Sequence, residues 1–214
     1  MQDRKVPEST IKRLPVYLRT LDNLIRKDVD LVNSDILSEE TAFTAELIRK
    51  DFSFFGAFGI RGRGYYTENL RQNILKVTGL DKPTIVIVVG AGYLGIALAR
   101  FNITKNPYTK IVSVFDINPA IIGNKIIDVE IMHVSKMAEI VRKYTVDVAI
   151  LAVPLEQAQV ASNNIVQSGV KVIFNFVPVT LDVPDGIHVH NIDLSVELQT
   201  LKYYTFKIRA GSTF

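Results

Sequence analysis

The stretch TIVIVVGAGYLG (residues 84–95) decides how this chain folds. Its first six residues are all β-branched, which suits a short strand buried on both faces and is too short for a packed helix. Gly90, Gly92 and Gly95 follow at once in a G-x-G-x-x-G pattern, with Ala91, Tyr93 and Leu94 between them, and the apolar YLGIALARF then continues as a helix. A strand that turns on glycines into a helix N-terminus is built to hold a pyrophosphate. The glycines allow the tight turn and close backbone approach, and the first free amides of the helix meet the negative charge.

The next strand, IVSVFD (111–116), ends on Asp116. That is about 20 residues beyond the last glycine, where a carboxylate accepts hydrogen bonds from the adenosine ribose and repels a 2′-phosphate. The expected ligand is therefore NADH or NAD+ rather than the phosphorylated cofactor. Further strands are read in VDVAILAV (146–153) and VKVIFNF (170–176), with a helix over 155–167 between them. Strands alternating with helices mean a parallel sheet covered on both faces. Residues 84–192 are thus expected to form a Rossmann-like, NAD(H)-binding α/β domain.

Upstream the pattern changes. TGLDKP (78–83) reads as a linker, and residues 1–80 read as short helices. Ser9 and Thr10 are expected to cap the first, which carries Leu14, Tyr17, Leu18, Leu21 and Leu24, with Pro15 early in it. Ser34 opens a second helix. Thr44 caps a third whose inner stripe is Leu47, Ile48, Phe52 and Phe55, leaving Arg49, Lys50 and Ser53 mostly outside. Then comes GAFGIRGRG (56–64), followed by a fourth helix over 67–77. Three helices and a glycine-punctuated hairpin match a winged helix-turn-helix, whose third helix enters the major groove.

Two glycine-rich stretches in one chain need not serve one phosphate. No β-branched strand precedes 56–64, so that stretch reads as a wing beside a duplex, with Arg61 and Arg63 for the backbone. Net charge does not decide it: the balance is +3, and basic residues scarcely exceed acidic ones on either side of Lys82. A basic surface without a partner is the plain alternative.

Several classes are excluded or unsupported. The chain has no cysteine, hence no disulfide and no thiolate metal site. No apolar run spans a bilayer and no signal-peptide core opens the sequence, so a cytoplasmic protein is expected. Beyond residue 192 roughly twenty residues remain, which read as one amphipathic helix and tail (193–214), too little for a substrate domain with an acid or base beside a nicotinamide. His188 and His190 share one face of an expected strand, and packing is the preferred reading over a metal pair. Binding without turnover is the reading, against the alternative of a small NAD-dependent oxidoreductase with an added helical domain. A coenzyme A-binding module is a further rival, which Asp116 opposes.

The chain resembles the Rex family of redox-sensing transcriptional repressors, through RLPVYLR (13–19), LIRKDFSFFGAFGIRGRGY (47–65), GAGYLGIAL (90–98), FDINP (115–119), AVPLEQAQ (152–159), FNFVPV (174–179) and NIDLSVELQTL (191–201). The resemblance implies a homodimer that binds an inverted-repeat operator with NAD+ or no ligand bound and releases it on binding NADH. It implies a C-terminal helix exchanged between subunits and lying between the partner's two domains. Arg13, Arg49, Lys50, Ser53, Arg61 and Arg63 would contact DNA. The loop from Gly90 to Gly95 would take the pyrophosphate and Asp116 the ribose. Val153, Pro154 and the turn of Asn175, Phe176 and Pro178 would flank the nicotinamide half, with Asp193 near it. The chain departs from the family at Phe101, where a tyrosine is common, at Tyr93, often polar or basic, and at Ala42, where a turn glycine is usual. A positive φ at Ala42 would carry strain.

Overall fold

The computed structural model describes residues 6–56, 59–60 and 63–209. The chain divides into two compact units, Met1–Lys82 and Pro83–Phe214.

The first unit opens on α1 (Glu8–Arg26). This helix starts ahead of its expected caps. Pro7 stands at the N-cap, its ring already at helical φ, and neither Ser9 nor Thr10 is needed to start the helix. Thr10 is instead buried, and its hydroxyl serves a longer-range contact described below. Pro15 lies inside the helix, in its second turn. A two-residue strand β1 (Leu31–Val32) leads to α2 (Ser34–Glu40), whose cap is Asn33, accepting from the amides of Asp35 and Ile36. In α3 (Ala45–Ser53) the expected cap holds: Thr44 accepts from the Leu47 amide. β2 (Tyr65–Tyr66) pairs antiparallel with β1, and α4 (Thr67–Thr78) ends on Gly79 in the left-handed conformation. Leu14, Leu18 and Leu21 of α1 are buried with Ile48 and Phe52 of α3 and Leu70 and Ile74 of α4. Tyr17 and Phe52 meet edge to face at 5.2 Å. Ala42 carries no strain, since among the described residues the non-glycine positions with positive φ are Asp28, Ile127 and Thr145.

The second unit is a seven-stranded sheet. Its strands are β3 (Thr84–Val89), β4 (Thr109–Asp116), β5 (Lys125–Ile126), β6 (Val129–His133), β7 (Val148–Leu151), β8 (Val172–Asn175) and β9 (His188–Asn191). The spatial order is β5-β6-β4-β3-β7-β8-β9, and every pairing is parallel except β5 with β6. α5 (Tyr93–Lys105), α6 (Met137–Tyr144) and α7 (Ala158–Gln167) are the crossovers, and α8 (Leu194–Arg209) follows the last strand. The β-branched run divides by parity: Ile87 and Val89 enter one apolar cluster with Phe115 and Ala149, while Val86 and Val88 enter another with Ala99 and Val114. A strand buried on both faces is central, and chain order reverses across β3, between β4 and β7. In such sheets the crevice beyond the carboxyl ends of the strands at that reversal receives ligands.

Candidate functional site

Each glycine of the loop between β3 and α5 has its own geometric reason. Gly90 has φ 103°, and a Cβ there would sit 2.3 Å from the Ala152 carbonyl oxygen. A Cβ at Gly95 would lie 1.8 Å from the Gly90 carbonyl oxygen, so that glycine seats the helix against the turn. At Gly92 nothing lies within 4 Å, leaving the N-cap of α5 open to an approaching group. Ile96 is the first intrahelical donor, to the Gly92 carbonyl, so the amides of Tyr93, Leu94 and Gly95 have no intrahelical partner. Those free donors and the helix dipole form an anion seat. The Tyr93 side chain is 99% exposed and shapes none of this.

Asp116 organises the other wall. One carboxylate oxygen accepts from the Ala91 amide at 2.7 Å, and the other from the amides of Ile117 and Asn118, both at 2.8 Å. The buried Ala91 therefore gives its amide to the carboxylate rather than to a ligand. The oxygen bonded by Ala91 alone keeps capacity to accept from a hydroxyl. Gly90, Gly92, Asp116, Val153 and Pro154 line one cleft of about 520 Å³. Sequence reasoning missed the apolar remainder of that cleft, which includes Ile117, Val134, Met137 and Val160. Ile117 follows Asp116 directly and is 53% exposed, and Val160 on α7 is 63% exposed, which marks both as apolar groups left uncovered.

Asn175, Phe176, Pro178 and Asp193 do not line this cleft. Asn175 is buried, and its side chain bonds Val177, Val179 and Asn191, stiffening the turn after β8. The Phe176 amide donates to the Leu151 carbonyl at 3.0 Å, tying that turn to the end of β7. Asp193 caps α8 by accepting from the amides of Ser195 and Val196. The His190 ring packs tilted against Phe174, with centroids 5.5 Å apart, and no group of three or more metal-ligating side chains occurs among the described residues.

α8 differs from the expected single-faced helix. None of its residues is buried. Leu194, Leu198 and Leu201 form one stripe, with Thr205 and Ile208 continuing it. Val196, Tyr203 and Phe206 stand exposed on the opposite side. A helix apolar on two sides is suited to cover from both. Phe101 on α5 is likewise 59% exposed.

In the first unit Arg49, Lys50 and Ser53 lie on the exposed face of α3, while Ile48, Asp51 and Phe52 are buried. Arg49 Nη1 donates to Ser34 Oγ at 2.6 Å, and Ser53 Oγ to the Lys50 carbonyl at 2.7 Å. Arg49 and Arg63 share a shallow depression with Ser34 and Tyr65. Burial pushes the Tyr65 hydroxyl pKa up, against the lowering effect of the nearby Arg49 charge. The Ile60–Gly64 bridge closes the hairpin that carries Arg63, whereas Arg61 lies outside the described residues. Arg13 is not on this face. Its Nε and Nη2 grip both oxygens of Asp51 at 2.6 and 2.7 Å.

Comparisons with known proteins agree with both halves. A family profile described as "CoA binding domain" matches residues 81–179, and one described as "Putative DNA-binding protein N-terminus" matches residues 5–53. The chain is 50% identical over 203 residues to a protein of Natranaerobius thermophilus named redox-sensing transcriptional repressor Rex, covering 95% of this chain and 93% of that one. It is 43% identical over 200 residues to the protein of the same name from Listeria welshimeri, covering 94% and 93%. The crystal structure of RSP in complex with beta-NAD+ and operator DNA superposes with a TM-score of 0.85 at 39% identity, covering 98% of this chain and 99% of that one. RSP in complex with beta-NADH superposes with a TM-score of 0.81 at 36% identity, covering 97% and 98%.

Proposed function

This chain belongs to the Rex family of redox-sensing transcriptional repressors, and from that premise we propose how its own residues perform the switch. The protein is a DNA-binding repressor and not an enzyme; NADH and NAD+ are its regulatory ligands. With NAD+ or no ligand it binds operator DNA, and NADH releases it. It acts as a homodimer on an inverted repeat, in the cytoplasm, where that DNA lies. No helix among the described residues is long and apolar enough to cross a membrane.

The pyrophosphate sits over the free amides of Tyr93, Leu94 and Gly95, beside the open Gly92. Asp116 accepts from the ribose hydroxyls while holding its own loop in shape. The Val153–Pro154 turn and the turn of Asn175, Phe176 and Pro178, at the ends of the paired strands β7 and β8, flank the nicotinamide half. Asp193, at the start of the exchanged α8, lies near it in the partner's site. The two apolar stripes of α8 support a helix covered on both sides in the dimer. Arg49, Lys50 and Ser53 meet the operator from the outer face of α3, and Arg61 and Arg63 meet its backbone from the wing.

The observation that carries this reading is the division of labour between the two glycine-rich stretches, one closing an anion seat at a helix start, the other a hairpin beside a basic helix. A mobility-shift titration on an inverted-repeat duplex tests it. NADH dissociates the complex and NAD+ does not; equal effects of the two nucleotides contradict it.

A further inference from the structure

We propose that Arg13 is a positioning residue that sets the rotation of the recognition helix through Asp51, rather than a phosphate contact. The inference rests on the DNA-binding reading above.

The Asp51 carboxylate is 1% exposed and accepts four hydrogen bonds from three side chains of α1. Thr10 Oγ donates to one oxygen at 2.9 Å, Arg13 reaches both, and the Tyr17 hydroxyl donates to the second at 2.7 Å. Residues 10, 13 and 17 fall on one face of a helix, so two turns of α1 converge on one carboxylate. The Arg13 guanidinium also lies over the Phe43 ring, 5.9 Å from its centroid. Its side chain is 17% exposed, and little of its charge faces solvent.

Asp51 lies in the middle of the segment that carries the proposed operator contacts. It follows Arg49 and Lys50 and precedes Ser53, on the side of α3 away from all three. The apolar neighbours Ile48 and Phe52 hold α3 against the core, but apolar contact has no direction and tolerates a small rotation. A bidentate guanidinium–carboxylate pair with two further hydroxyl donors tolerates none. Buried ion pairs contribute little net stability over apolar groups of the same volume, and their best-attested use is to fix register. Here the register is the direction in which Arg49, Lys50 and Ser53 project.

The test uses full-length dimer and two duplexes of equal length, an inverted repeat selected by the parent protein from a random pool and a scrambled version of it. Three variants are measured against both, with thermal unfolding and NADH titration alongside. Arg13→Gln lowers operator affinity about tenfold or more and leaves the scrambled duplex and the salt slope unchanged, whereas loss of a phosphate contact lowers both affinities and reduces the slope by about 0.9. Tyr17→Phe keeps the ring and removes one donor, and lowers the operator-to-scrambled ratio a few-fold. The double variant Arg13→Met with Asp51→Leu recovers the unfolding temperature but not the ratio. A double variant that recovers both, or an Arg13→Gln variant that weakens both duplexes equally, overturns the proposal. A parent that enriches no inverted repeat from the random pool overturns the DNA-binding reading itself.

Discussion

Two carboxylates, one in each unit, take their hydrogen bonds in opposite ways. Asp51 takes its bonds from side chains of another helix and is sealed from solvent. Asp116 takes its bonds from backbone amides of its own loop and the neighbouring one, and still faces the cleft. The first arrangement joins distant parts of the chain and leaves no room for a ligand. The second shapes a loop while leaving one lone-pair site open. A carboxylate fed by backbone amides can both build a site and serve it; one enclosed by side chains can only build.

The sharpest way to break this comparison is to destroy the loop that Asp116 serves. Gly95→Val places atoms where the Gly90 carbonyl already stands, and NADH binding should fall at least ~100-fold while the protein still retards operator DNA. Fluorescence titration of NADH reads this directly, and near-parental affinity would discredit the anion seat. Arg49→Ala comes next: it should weaken operator binding by ~10- to 100-fold without touching NADH affinity, as expected for loss of about 1–3 kcal/mol at a base or phosphate. An unchanged operator affinity would remove α3 from the interface.

Smaller effects separate the two carboxylates. Asp116→Ala removes the ribose acceptor and strands three amides, so NADH should bind ~10-fold or more weakly, with coenzyme A as the control titrant. Asp116→Asn, which keeps an acceptor for part of that set, should lose less. The mildest prediction concerns acid. Burial alone would raise the pKa of Asp51, but hydrogen bonds from Arg13, Tyr17 and Thr10 and the Arg13 charge outweigh it and hold it below the ordinary carboxylate value. Its contribution to stability is therefore complete above the unfolded value near ~3.9 and is lost as pH falls through the lower folded value. Unfolding temperatures of the first unit should drop over that acid range in the parent and drop less in Asp51→Asn. Parallel curves would mean that Asp51 carries no such linkage.

Much of this was legible in the sequence because the informative signals were local. The run 84–89 could only be an inner strand, the glycine spacing announced the turn, and Thr44 announced α3. What stayed hidden depended on length or distance. β5 and β6 are two and five residues around a turn at Ile127, and α6 is a bare eight residues, too short to show a period. The second apolar stripe of α8 is sparse, so one face alone was visible. The bond between Arg13 and Asp51 spans 38 positions, and nothing local distinguishes that arginine from one facing DNA. For the same reason the cleft's apolar wall, drawn from the ends of β4 and β6 and from α6 and α7, had no motif.

The central claim is that one molecule couples the two sites, and coupling is reciprocal. The most direct measurement is the NADH dissociation constant of the full-length dimer, with and without saturating operator duplex, set beside the operator dissociation constant with and without saturating NADH. The account predicts that operator weakens NADH binding by the same factor by which NADH weakens operator binding. An NADH affinity unchanged by operator would contradict it.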